Sequence, residues 1–169
     1  MNKSTFDEYI NLHRSMWIDI CESVALARKV VDVYNLKIDY CRKHSKSKCR
    51  PINYCYACGC AYKIMDELCS PLLSMCKNCP FEWPSSGDSA GEYMCEYNKD
   101  IPAIGCRYGL WGNLAFIINE YMDLQHQLDK HPDSKVLRTK LTKLWKKEIK
   151  LCYKIATLPI DDSIAEMFV

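Results

Sequence analysis

The chain has few glycines and no long apolar segment. Only six of its 169 residues are glycine, and no run of apolar residues approaches the length of a membrane span. The net charge is only +2, so the molecule as a whole has no strong attraction for nucleic acid or for a membrane surface. These absences predict one soluble domain that does not enter a membrane.

Recognisable catalytic motifs are missing as well. No phosphate-binding loop, nucleophile motif or paired-carboxylate pattern stands out. Among the four histidines, His13 and His131 lie in rows of apolar residues at helical spacing. A histidine at such a position is usually a hydrogen-bonded core residue or lies at a helix end. His44 lies among lysines, and His126 should face solvent. The sequence therefore predicts a protein that is not an enzyme.

Cysteine, in contrast, is abundant. There are twelve, and all but Cys21 and Cys152 lie between Cys41 and Cys106. The first ten residues are polar and include Asp7 and Glu8, unlike a secretory signal, so we expect a cytoplasmic protein. Disulfide bonds rarely persist in a reducing cytoplasm, which favours metal binding as the role of the clustered cysteines.

Two Cys-x-x-Cys pairs provide the clearest motif. Cys55 and Cys58 form the first pair, and Cys76 and Cys79 form the second after seventeen intervening residues. This spacing is typical of one tetrahedral Zn²⁺ site. Four thiolates leave no open coordination position, so we expect a structural site that stabilises the segment rather than a reaction centre.

The other cysteines of this region leave two alternatives open. Four of them could form a second zinc site or replace one of the favoured ligands: Cys60, Cys69, Cys95 and Cys106. They could equally fill small apolar spaces, as free cysteine often does. One zinc ion is therefore expected and two are allowed.

Apolar residues at helical spacing flank the cysteine-rich segment. One seam predicts a long N-terminal helix over residues 5–43, with Thr5 and Glu8 as a capping box and a break near Val31 as the alternative. Two further seams predict an antiparallel hairpin of helices at 109–131 and 134–158, separated by His131-Pro132-Asp133. The predicted fold is mainly α: a three-helix bundle with an irregular zinc module at 44–108. A seam left uncovered would promote self-association.

One part of the sequence resembles a known group of proteins. Cys55-Tyr-Ala-Cys58, Cys76-Lys-Asn-Cys79-Pro-Phe-Glu-Trp83 and the upstream His13-Arg14-x-x-Trp17 are similar to a pattern in small cysteine-rich zinc-knuckle proteins of tailed bacteriophages. The similarity covers about half of the chain, which has extra cysteines and a long C-terminal hairpin besides. It implies a metal-binding knuckle in the cytoplasm of an infected bacterial host, and it implies no catalytic activity.

Binding is the function that these patterns favour. A rigid bundle with an aromatic-rich module suits a protein that binds or inhibits a host or defence protein, with Tyr56 and Trp83 as candidate anchors. The alternative is nucleic-acid binding through basic stretches at 37–50 and 135–154, in which Lys143, Lys146 and Lys147 are the candidate contacts. Lysines on an amphipathic helix also serve solubility alone.

Overall fold

The computed structural model describes residues 1–52, 55–68, 78–82 and 110–168, and it is mainly helical, as predicted. The described helices are α1 (Lys3–Ala27), α2 (Val33–Lys43), α3 (Tyr56–Glu67), α4 (Leu110–Lys130), α5 (Lys135–Ala156) and the short α6 (Asp162–Ala165), followed by a 3-10 turn at Glu166–Phe168. Within these ranges there is no strand, only two isolated antiparallel bridges, Ile52 with Cys55 and Phe81 with Ile160.

The prediction of one continuous helix over 5–43 is wrong, because the chain breaks between α1 and α2. Arg28 ends α1 in the left-handed region, with φ at 53°, and Asp32 caps α2 by accepting a hydrogen bond from the Tyr34 amide at 3.0 Å. The break coincides with the β-branched residues Val30 and Val31, which favour helix poorly. A break near Val31 was the alternative that the sequence left open.

The start of α1 also differs from the predicted capping box. Asn2 is the N-cap, and its side chain accepts from the Thr5 amide at 2.9 Å, so Thr5 lies inside the first turn. Both residues are good caps, and the earlier one takes the role. Helix α1 therefore begins at Lys3, two residues earlier than predicted.

Helix α1 packs against α5 along a largely aliphatic interface, with the two helices antiparallel. The Trp145 indole donates to the Val24 carbonyl at 2.8 Å, and the Arg14 guanidinium donates to the Leu158 carbonyl at 3.4 Å, at opposite ends of the contact. Helix α4 packs against the same α5, and its start and that of α5 lie within one residue of the predicted hairpin starts. Ser134 is the N-cap of α5, and its side chain accepts from the Leu137 amide.

A carboxylate is buried in the α1–α5 interface. Glu148 has no exposed surface, and its two oxygens accept from the Val31 amide at 3.2 and 3.4 Å, beside the break between α1 and α2. Burial, only partly offset by that hydrogen bond, raises the pKa of this carboxyl to about 7. The core-facing side of α5 thus holds a carboxyl group that can change its charge near neutral pH.

The first part of the cysteine-rich region is attached firmly to α1. The Tyr9 hydroxyl accepts from the Arg50 amide at 3.1 Å, and Ser47 donates to the Glu8 carboxylate at 2.7 Å. Gly59 lies directly under this segment, where a Cβ would overlap the Arg50 carbonyl oxygen. Helix α3 can therefore approach closely enough to pack on α1.

Residues 78–82 join the C-terminal segment. The Glu82 amide donates to the Pro159 carbonyl and the Asp161 amide donates to the Pro80 carbonyl, both at 3.0 Å. The segment after α5 then returns to α1, where Phe168 stacks on Phe6 at 4.9 Å. No helix of the described residues is long and apolar enough to cross a membrane.

Candidate metal centre

The start of α3 brings the first Cys-x-x-Cys pair together. Cys55 occupies the N-cap position and Cys58 lies in the first turn, so both thiols lie at one end of the helix. Their hydrogen bond, together with burial, raises the pKa of Cys55 to about 12. The Cys55 thiol is therefore protonated at neutral pH in the absence of metal. An ion that binds here must displace protons, which makes its affinity dependent on pH.

The second pair is described only in part. Cys79 is half-buried and lies near Cys60 on α3, whose pKa is raised to about 12 by burial and, secondarily, by Cys79. Cys76 lies outside the described residues, as do three of the candidates for a second site: Cys69, Cys95 and Cys106. The described part of the second pair therefore lies against the same helix that carries the first pair.

No complete metal site is formed by the described side chains. Among residues 1–52, 55–68, 78–82 and 110–168, no group of three or more His, Cys, Asp or Glu residues is arranged to hold an ion. What the structure brings together is Cys55 with Cys58, and Cys79 with Cys60. The four-thiolate site at Cys55, Cys58, Cys76 and Cys79 remains a prediction.

His13 is a polar residue of this region whose importance the sequence analysis missed. Its side chain has no exposed surface, and neither ring nitrogen has a hydrogen-bond partner among the described residues. The expectation of a satisfied core histidine is therefore not met. The ring lies 4.3 Å from that of Phe81, and the imidazole is close enough to Cys55 to favour its thiolate. The only available signal was its place in the His-Arg-x-x-Trp pattern upstream of the cysteines.

A buried cation lies on the other side of the same thiol. Lys37 is 6% exposed, its Nζ lies 5.9 Å from the centre of the Trp17 ring, and its charge favours the thiolate of Cys55. The sequence analysis had placed Lys37 at the beginning of an exposed basic stretch. Because the helix breaks between α1 and α2, the side chain of Lys37 points inward. Lys37 therefore belongs to the surroundings of the cysteines.

Of the two candidate aromatic anchors, Tyr56 is buried and Trp83 lies outside the described residues. The Tyr56 ring meets Tyr40 edge-on at 6.3 Å, and its hydroxyl lies beside the Cys41 thiol. Tyr56 was expected to be exposed because the segment reads as irregular. Because α3 begins at this residue, the side chain points toward α2 and has no surface to offer a partner.

The candidate basic contacts on α5 are exposed. Lys143, Lys146 and Lys147 all face solvent, as do the remaining basic residues of the helix: Lys135, Arg138, Lys140, Lys150 and Lys154. The one acid of this helix, Glu148, points into the core. The outer surface of α5 therefore carries cations and no acid. In the stretch 37–50, the basic residues other than Lys37 are exposed, and Arg42 pairs with Asp39 at 3.4 Å.

Comparison with known proteins adds no relative. No protein-family model, curated protein or solved structure matches this chain.

Proposed function

We propose that the protein is a zinc-stabilised, non-enzymatic binding protein that acts on a host or defence protein. Helices α1, α4 and α5 form its three-helix bundle. The zinc module is inserted between α2 and α4. One Zn²⁺ ion, held by thiolates of both Cys-x-x-Cys pairs, stabilises that module, and the binding surface lies on the helices.

The metal part of the proposal is supported by the adjacent thiols of Cys55 and Cys58 at the start of α3. A Cys-x-x-Cys pair that straddles a helix start presents two sulfurs to one point, as zinc requires. Between α2 and α4 the described part of the chain has one helix, α3, and otherwise only isolated bridges and turns. Structural zinc contributes on the order of 10 kcal/mol to the folding of such segments.

The observation that carries the binding proposal is a set of exposed apolar side chains on the C-terminal hairpin. Four large apolar residues there are more than 60% exposed: Phe116, Met122, Val136 and Tyr153. Phe116 and Tyr153 lie toward the same end of the hairpin, away from the turn at 131–134, because antiparallel helices align residues equally distant from their turn. Exposed aromatic side chains are the usual energetic anchors of protein interfaces.

The class of partner follows from the resemblance to bacteriophage zinc-knuckle proteins. Proteins of that origin work in the cytoplasm of an infected bacterium, where host enzymes and defence components are the available targets. The groove of about 840 Å³ between α1 and α2 is open and polar, lined by residues such as Lys3, Asp7 and His44.

The test is capture of a stoichiometric host protein by the full-length chain, followed by substitution of the proposed anchors. We expect Phe116→Ala and Tyr153→Ala to abolish capture. Leu26→Ala, at an 83% exposed position near the end of α1, should leave capture unchanged and serves as the matched control. A partner that all three variants retain, or no specific partner at all, would contradict the proposal.

Nucleic-acid binding is the second candidate, and the acid-free outer surface of α5 favours it. Eight cations on one helix, with its only carboxylate turned into the core, can neutralise several phosphates. Binding of this kind falls steeply as salt concentration rises.

A charge-reversal experiment separates the two candidates. Replacing Lys143, Lys146 and Lys147 by Glu should abolish any binding to duplex or single-stranded DNA in a low-salt gel shift. The same variant should still capture a protein partner held through Phe116 and Tyr153. If the wild-type chain shifts no DNA or RNA at low salt, the nucleic-acid function is excluded.

A further inference from the structure

The imidazole of His13 is in an environment that an ordinary core residue rarely tolerates. The side chain is fully buried, and both ring nitrogens lack hydrogen-bond partners among the described residues. Leaving a buried polar group unsatisfied costs free energy, so native proteins nearly always pair such groups. A buried imidazole whose nitrogens lack partners among the described residues can be satisfied by a metal ion.

The surroundings of His13 contain zinc-binding groups from both halves of the cysteine module. The thiol of Cys55 is its neighbour on one side, and Cys55 in turn contacts Cys58. On the other side the ring packs at 4.3 Å against Phe81, two residues after Cys79. Helix α1 thus contributes its one histidine at the place where the two Cys-x-x-Cys elements approach each other.

We propose that His13 is a ligand of the zinc ion and takes the position that the sequence pattern assigns to Cys76. The ligand set is then His13, Cys55, Cys58 and Cys79, a Cys₃His site of the kind that zinc forms readily. This inference rests on the proposed zinc site and changes one of its ligands. No three of these groups are arranged to hold an ion in the described structure, so zinc must draw them together, and a metal site is rarely preformed without its metal.

The charge balance also favours one imidazole. Zn²⁺ with four thiolates carries a net charge of −2, whereas three thiolates and a neutral imidazole reduce it to −1. Burying less net charge costs less free energy. The buried ammonium of Lys37, which interacts with Cys55, then brings the whole cluster to neutrality.

A histidine ligand on α1 would also join the module to the bundle directly. In a four-thiolate site every ligand comes from the cysteine-rich segment itself. With His13 in the set, the metal ties α3 and residues 78–82 to the middle of α1. Loss of the metal would then loosen the contact of α3 with α1.

X-ray absorption by the zinc-loaded, full-length protein tests the ligand set without any substitution. A Cys₃His site gives one Zn–N distance of about 2.0–2.1 Å and three Zn–S distances of about 2.3 Å. A shell of four sulfurs would overturn the inference and leave the proposed zinc site intact. Absence of stoichiometric zinc would overturn both. Because the wild-type spectrum decides, the test does not depend on whether a variant folds.

Zinc affinity of three variants provides an independent measurement. We expect His13→Gln to weaken zinc binding roughly tenfold or more, given that even outer-shell partners contribute that much. Cys76→Ser should bind zinc within about twofold of wild type, and His126→Gln, at an exposed position, is the control. The opposite order, with zinc lost in Cys76→Ser and kept in His13→Gln, would overturn the inference.

Discussion

The two surfaces of α1 are built differently. Toward α5 the helix buries aliphatic residues such as Ile20 and Val24, and the buried carboxylate of that interface, Glu148, accepts from the Val31 amide. Toward α3 it buries aromatic rings and thiols, and the imidazole of His13 has no hydrogen-bond partner among the described residues. In the first interface the described residues pair the buried carboxylate, whereas in the second they leave the buried imidazole without a hydrogen-bond partner.

This difference assigns the two surfaces different sources of stability. Aliphatic packing stabilises by removing apolar area from water, about 25 cal/mol per Å². The α3 surface carries polar groups whose burial costs free energy unless they are paired. We therefore expect the α5 side to respond to changes of volume and pH, and the α3 side to respond to metal.

Removal of zinc should give the largest effect. We expect chelation, or the double substitution of Cys55 and Cys58 by Ser, to cost on the order of 10 kcal/mol of local stability on the α3 side. Hydrogen exchange should show α3 losing protection while α4 and α5 keep theirs. The matched control is Cys21→Ser, whose thiol faces the Ile149 carbonyl on the α5 side. Equal loss of hydrogen-exchange protection on both surfaces of α1 would contradict the expected difference between the α3 side and the α5 side.

A cavity in the aliphatic interface should rank next. Ile20 is 2% exposed, and Ile20→Ala is expected to lower the free energy of unfolding by about 2–5 kcal/mol. Zinc stoichiometry, measured by elemental analysis of the folded variant, should not change. Ile18→Ala, at a position 47% exposed on the same helix, is the control and should have little effect. Loss of zinc in Ile20→Ala would show that the two surfaces are not independent.

The pH dependence of stability should report on Glu148. Its pKa of about 7 in the folded protein exceeds the value of 4.5 expected when unfolded, so the native state binds more protons between these limits. The contribution of Glu148 to stability is therefore greatest below pH 4.5, falls as pH rises to about 7 and is constant above, a total of up to roughly 3 kcal/mol. Glu148→Gln should remove this slope in urea titrations, whereas Glu120→Gln, at an exposed position, should keep it. A slope unchanged in Glu148→Gln would contradict the assignment.

The smallest effect is expected at the α4–α5 turn. The Ser134 hydroxyl accepts from the Leu137 amide at 3.3 Å, and Ser134→Ala should cost about 1 kcal/mol of unfolding free energy. Thermal unfolding followed by circular dichroism measures it, with Ser134→Asp, another good cap, as the control. A loss of unfolding free energy much greater than about 1 kcal/mol would mean that the Ser134 side chain also makes tertiary contacts.

The sequence predicts the flanking helices better than the segment between them. Apolar spacing and the His131-Pro132-Asp133 break place the starts of α4 and α5 within one residue, because both helices are set by local signals. The break after Arg28 has no Gly or Pro to announce it, and it moves Lys37 from an exposed face to a buried one. A tertiary contact accompanies the poor helix propensity of Val30 and Val31: the Glu148 carboxylate, more than 100 residues later, accepts from the Val31 amide.

The site could be predicted only in part for the same reason. Two Cys-x-x-Cys pairs are visible in the sequence, and they suggest zinc without any fold. His13 occupies a seam position that a packed core histidine would occupy equally well. Only the packing of α3 on α1 shows that its neighbours are a thiol and the Phe81 ring. Tyr56 was read as exposed because nothing in the sequence marks the residue where α3 begins.

The missing side chain at Gly59 has a consequence for where a bound ion would lie. Because α3 can approach the segment ending at Arg50 directly, the first Cys-x-x-Cys pair can lie close to the surface of α1. A larger residue at position 59 would push the start of α3 and both sulfurs outward, so an ion held there would stabilise α3 without tethering it to the rest of the protein.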